Sequence, residues 1–158
     1  MAWQGLCHTF PPYTLRHEPC TVILLFTSSF DSVWIEILRD KTGRITKAFQ
    51  ERIGAEYYVL SRFTQLELLQ GARDEKEWEL LEDYLSNQYY LEADNHTWRA
   101  AARIYFELRR KGVTINSPVD CCIAQIAIEH GIILLHRDKD FERISRIRPL
   151  EQERFKLN

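Results

Sequence analysis

Four acidic residues, Asp31, Glu67, Asp120 and Asp138, each stand beyond an apolar run or at the start of the helical pattern that follows one. Carboxylates gathered within a few ångströms repel, raise one another's pKa and destabilise the chain that holds them. A divalent cation removes that penalty. Mg2+, or Mn2+ in its place, takes oxygen ligands in octahedral geometry and keeps several waters. An ion so held orients a phosphodiester, activates a water as nucleophile and stabilises the leaving oxygen. None of the five histidines falls in a paired metal-ligand spacing. The chemistry within reach is therefore that of a hard, oxygen-bound cation.

Each acid also has a purely local reading. Ser117-Pro118-Val119-Asp120 is a capping box with proline at the first helical position, and a carboxylate there suits the helix dipole. Thr64-Gln65-Leu66-Glu67 fits the same box. Alternatively that helix begins near Ser61, and Glu67 projects from one turn further in. Asp31 precedes a helical pattern and can serve as its N-cap. Asp138 and Asp140, in the run RDKD, can belong to a solvated turn. The local readings leave one thing unexplained: four acids occupy corresponding ends of alternating elements.

The elements that would position them follow from the apolar pattern. Residues 21–26 (TVILLF), 57–60 (YYVL) and 132–135 are apolar runs of strand length, with a shorter one at 89–91. Helices are expected over 32–38, 44–53, 61–69, 75–85, 95–111 and 117–130, with a helical turn at 140–145. The third of these helices carries Glu67, and the 75–85 helix is apolar at Trp78, Leu81 and Leu85. Gly54 and Gly112 stand where helix C-termini want a glycine, and Asp94 or Asn95 is available as an N-cap. Cys121 and Cys122 sit inside a helical pattern and read as small core residues. Strands alternating with helices imply an α/β fold with a parallel sheet covered on both faces. In such sheets ligands collect beyond the carboxyl ends of the strands.

At 158 residues the chain is of one-domain size. We expect an irregular extension over 1–20, the domain over 21–148 and a tail over 149–158. A net charge of -2 gives no global nucleic-acid signature, so such a partner must be met by a local basic stripe or by metal ions. The four cysteines form no disulfide framework, and Cys7-His8 with His17 and Cys20 matches no usual zinc spacing. The apolar run 22–26 is too short for a membrane span or a signal-peptide core. A cytoplasmic protein without membrane association is expected.

Five motifs follow one another: SVWIEILRD (32–40), TQLELLQGAR (64–73), WRAAARIYFELRRKG (98–112), SPVDCCIAQIAIEHG (117–131) and LLHRDKDFERI (134–144). In this order and spacing, residues 31–144 resemble the PIN-domain family, and especially the VapC-type toxins of bacterial toxin–antitoxin pairs. The resemblance implies a three-layer α/β/α PIN-like fold with a central, mostly parallel sheet. It implies a metal-dependent endoribonuclease whose catalytic, metal-binding acids are Asp31, Glu67, Asp120 and Asp138. By motif, Glu67 matches the family's helix glutamate, four residues before the glycine. Asp120 matches the aspartate opening the late helix, and Asp138 the fourth acid, after the last core strand. Asp140 reads as a supporting or helix-capping acid. Asp31 departs from the pattern, because only Ser32 separates it from Val33-Trp34 and strict alignment sets Phe30 at the family's aspartate. A one-residue shift at a strand end turns a side chain to the other face, so Asp31 reaches the site if the Ser-rich bend absorbs the shift. Two alternatives stand beside the nuclease toxin: a catalytically impaired PIN module that still binds an antitoxin, and a non-toxin PIN nuclease of RNA processing.

RNA would be met by Arg99, Arg103, Arg110 and Lys111, with Arg62, Arg137 and Lys139 near the acids. Arg99 and Arg103 share a helix face, whose bland reading is a solvated surface. The resemblance further implies a homodimer and a small antitoxin protein whose amphipathic helix covers the early helices. Trp34, Ile37, Leu38, Phe49 and Ile53 exceed what one helix face needs there. With RNA held by such a stripe, affinity measured by titration should fall as salt is added; a salt-independent affinity would count against the stripe.

Overall fold

Strand β1 (Val22–Leu25) is the centre of a five-stranded parallel sheet in the computed structural model, which describes residues 22–25, 40, 42–53 and 57–155. The strand order is β3-β2-β1-β4-β5, with β2 at Tyr57–Ser61, β3 at Tyr90–Leu91, β4 at Ile133–His136 and β5 at Gln152–Arg154. The helices are α1 (Arg44–Ile53), α2 (Arg62–Gln70), α3 (Glu75–Ser86), α4 (Asn95–Arg110), α5 (Pro118–His130) and α6 (Lys139–Ser145). Leu25 pairs with both Leu60 and Leu135, so the three central strands end level. Strand order reverses about β1, and the crevice beyond its carboxyl end is where ligands bind in open α/β sheets.

The sheet separates two cores because successive strand residues point to opposite faces. Leu134 packs with Ile104, Leu108, Ile123, Ile126 and Phe141, on the side of α4, α5 and α6. Its neighbour Leu135 packs with Phe49, Leu60, Leu68, Leu81 and Leu85, on the side of α1, α2 and α3. The chain thus has the three-layer α/β/α fold that its motifs imply. Helix α5 is apolar nearly all round and is buried from Asp120 to Ala127, as a helix between a sheet and a further helix must be.

Caps set the helix boundaries. Ser61 ends β2 and is the N-cap of α2, its Oγ accepting the Thr64 N–H. The Thr64 box is therefore not formed, and Glu67 lies one turn inside the helix. Asp94, not Asn95, caps α4 in a reciprocal box with Thr97. Gly112 and Gly131 adopt φ of 73° and 60° just past α4 and α5, conformations that glycine takes without Cβ strain. Before α1, the Asp40 carboxylate accepts the N–H groups of Thr42, Gly43, Ile45 and Thr46. The Thr42 hydroxyl, first among these partners, helps to hold its pKa down to about 2.

Several expectations shift. The third long strand runs one residue later than its apolar run, because His136 takes the last position and its carbonyl accepts the Phe155 N–H. The segment expected as a tail supplies β5, which pairs in register with β4. Trp78 lies on the exposed side of α3, while Leu81 and Leu85 are buried. Phe49 is a core residue against the Phe155 ring, not part of a docking face. Cys121 and Cys122 are buried as read. The expected segments 1–20 and 32–38, Asp31 and the Gly54 closure lie outside the described residues. Among the described residues no helix is long and apolar enough to cross a membrane. Ile104 has no exposed surface and joins α4 to α5. Ile104→Ala should cost about 2–5 kcal/mol in urea denaturation, whereas Arg99→Ala, at an exposed position of the same helix, should stay within about 0.5 kcal/mol.

Candidate metal centre

Glu67, Asp120 and Asp138 line one cavity of about 320 Å³ together with Phe63, Leu66, Gln70, Asn116, Ser117 and Val119. Each acid is placed by a local device. Helix α2 starts at the end of β2 because buried Ser61 caps it, which sets Glu67 at the sixth helical position. The Gly71 N–H donates to the Glu67 carbonyl at 3.2 Å, so the glycine four residues on closes the turn that carries the acid. Asp120 is the third residue of α5 and is 1% exposed. Asp138 is the N-cap of α6 and accepts the Asp140 N–H at 2.9 Å. Its local role as a cap and its place in the cavity coexist.

Asp140 joins this group. Oxygens of Asp120, Asp138 and Asp140 lie within 4.8 Å of one another. Asp140 is 1% exposed, but its carboxylate is already answered: it accepts the Asn116 N–H at 2.8 Å and pairs with Arg143 at 2.6 Å. Among the described residues, Glu67 and Asp120 have no such counter-charge. Burial, and after it the charge of Asp120, pushes Glu67 up to about 8. Burial, then the charges of Asp138 and Asp140, pushes Asp120 up to about 7, offset in small part by the Ser117 N–H. Among the described residues, Glu67 Oε2 is buried with no hydrogen-bond partner. A buried acceptor left open among three further carboxylates fits a cation as its missing partner. Glu67, Asp120 and Asp138 can hold it through oxygen.

A second acidic group, Asp94, His96 and Glu129, is exposed. Asp94 caps α4 through Thr97, and Glu129 accepts from Thr97, Gln125 and His96. These bonds fasten α4 to α5 and explain the cluster without an ion.

The remaining predicted site residues are placed as follows. Arg137 is half-buried beside Asp138 at the end of β4. Arg99 is exposed on α4. Arg103 pairs with Glu107 at 2.7 Å and lies over the Phe106 ring. Asn116 and Arg143 escaped the sequence reading. Arg143 had a local signal in its i, i+3 spacing from Asp140, whereas the Asn116 N–H bond spans 24 residues and had none.

Comparison with known proteins follows the same lines. The family model of the PIN domain matches residues 31–147. A VapC ribonuclease of Mycobacterium bovis is 36% identical over 129 residues, covering 79% of this chain and 96% of that protein. Ribonuclease VapC11 of Mycobacterium tuberculosis matches with the same figures. A chain from the structure of VapBC2 from Rickettsia felis, bound to a DNA fragment from their promoter, superposes with a TM-score of 0.65 at 16% identity, over 86% of this chain and 100% of that one. A chain of FitAcB from Neisseria gonorrhoeae does so with 0.63 at 23% identity, over 82% and 95%. At such identities the superpositions speak for the fold.

The two raised carboxyls give the metal-free protein a defined pH dependence. The folded chain keeps protons that the unfolded chain releases near pH 4. Their contribution to stability is full below that value and is lost as pH rises through about 7 and about 8. The melting temperature of metal-free protein should fall between about pH 5 and about pH 8, Glu67→Gln should flatten the fall, and Mg2+ should raise it more at the upper pH. Scanning calorimetry with and without chelator checks this.

Proposed function

The chain belongs to the PIN-domain family, and we propose that it is a Mg2+-dependent endoribonuclease, the toxin of a toxin–antitoxin pair. The observation that carries this reading is the convergence of Glu67, Asp120 and Asp138 on one cavity, with Glu67 Oε2 buried and open among the described residues. Relatives named as VapC ribonucleases, matched over 96% of their length, support it.

In this reading Asp31, Glu67, Asp120 and Asp138 are the catalytic and metal-binding acids. Mg2+, or Mn2+ in its place, supplies a polarised water and charge compensation for the phosphodiester when bound. The chain's own work is placement. Ser61 and Gly71 hold Glu67, the α5 start holds Asp120, and the α6 cap holds Asp138. Phe63, Leu66 and Val119 give the cavity an apolar wall beside the acids. Arg137 lies nearest the acids in sequence, and Arg99 and Arg103 offer positive charge along α4 to an RNA backbone.

The partners we assign are an RNA substrate, a small antitoxin and a second copy of the chain. The likeness in fold to VapBC-5 of Mycobacterium tuberculosis, a member of the VapBC family of toxin–antitoxin systems, supports the antitoxin. Leu66 and Trp98, 61% and 52% exposed, leave apolar surface beside the cavity for a protein to cover. A second reading, an impaired module that binds antitoxin without cutting, is favoured by the register of Asp31 alone.

RNA incubated with the protein and Mg2+ or Mn2+ should be cut, and excess chelator should stop cutting. Glu67→Gln and Asp120→Asn should each lower the rate by at least about a hundredfold, the equivalent of the several kcal/mol that a metal supplies. Cleavage that persists in chelator would sink the proposal. Asp31→Asn separates the two readings: a fall of that size makes Asp31 a ligand, and a native chain that cuts nothing favours the impaired module.

A further inference from the structure

We propose that Asp140 and Arg143 are a positioning pair for the metal centre, clamping the segment that leads into α5 onto α6 and so fixing Asp120 relative to Asp138. The proposal rests on the metal-centre reading above. Asp140 and Arg143 are the second and fifth residues of α6. Asp140 Oδ2 accepts the Asn116 N–H at 2.8 Å, and Oδ1 accepts from Arg143 Nη1 at 2.6 Å. The same Nη1 donates to the Thr114 carbonyl at 3.1 Å. Two residues of α6 thus grip the 114–116 segment at two points. Ser117, the next residue, is the N-cap of α5, and Asp120 stands at the third position of that helix.

A short path of bonds therefore joins two acids of one site. The Asp138 carboxylate accepts the Asp140 N–H, the Asp140 carboxylate accepts the Asn116 N–H, and one residue later stands Ser117, the N-cap of α5. Any change in this path moves one helix start against the other. Arg143 has a second effect. A third carboxylate within 4.8 Å of Asp120 and Asp138 adds repulsion, and the guanidinium beside it offsets that charge. With one oxygen on a cationic donor and the other on a backbone N–H, Asp140 is a supporting group and not a ligand. Groups in that role are worth roughly 10–100-fold in metal affinity.

Calorimetric titration of the full chain with Mn2+, beside circular dichroism to show that each variant is folded, tests this. Arg143→Ala should weaken Mn2+ binding about 10–100-fold. Arg143→Lys, whose one ammonium carries donors enough for both Asp140 and Thr114, should stay within about threefold of the native chain. Asp140→Asn, which keeps an acceptor for the Asn116 N–H, should weaken binding about tenfold, whereas Asp120→Asn should abolish it. Native affinity in a folded Arg143→Ala would overturn the proposal, and so would abolition by Asp140→Asn equal to that by Asp120→Asn, which would make Asp140 a ligand. A native chain that binds no Mn2+ fails at an earlier step, removing the metal-centre reading and this proposal with it.

Discussion

A carboxylate taken out of water must have its charge answered, and most of what is particular to this chain follows from four that share one place. Asp140 is answered by Arg143 and a backbone N–H. Asp138 accepts a backbone N–H as a helix cap. Glu67 and Asp120 are answered by protons, which is what their upward shifts express. Protons are a poor partner near neutral pH, because they leave as the pH rises. An oxygen-binding cation is the partner that suits all the remaining acceptors at once.

The fold supplies the means to hold such a group together. Three parallel strands end level at Leu25, Leu60 and Leu135, so the elements that follow them leave from a common edge. Ser61 turns the chain from β2 into α2 within one residue. On the other side, α5 is buried over most of its length between the sheet and α4, which leaves Asp120 little freedom to move away from its neighbours. The two apolar cores on either side of the sheet oppose the repulsion concentrated at its edge. Destabilising groups of this kind persist only where surrounding structure over-determines them.

Much of this was legible in the residues. The period of the apolar positions gave α1, α3, α4 and α5 to within a residue or so, since long amphipathic or buried helices with clear caps carry redundant signals. Glu67, Asp120 and Asp138 were legible as acids at corresponding element ends. What sequence left open at Glu67 was a choice between two caps, and the structure decides it because Ser61, buried at the strand end, takes the Thr64 N–H. The misses have a common cause in contacts between distant residues. β5 is three residues long and exists through its pairing with β4. Phe49 looked surplus on its own helix but meets Phe155 from the far end of the chain. The Asn116–Asp140 bond joins the segment before α5 to the first turn of α6, which no periodicity connects. Asp31 lies outside the described residues, so its role rests on the motif it partly matches.

The most direct measurement counts protons. Mg2+ binding followed by titration calorimetry in buffers of different ionisation enthalpy reports how many protons leave as the ion enters. If Glu67 and Asp120 receive the ion, protons should be released near pH 7 and the release should vanish by about pH 9, above both carboxyls. Glu67→Gln should reduce it. Binding without proton release at pH 7, or release unchanged at the higher pH, would contradict the assignment of these two acids as the groups that a cation relieves.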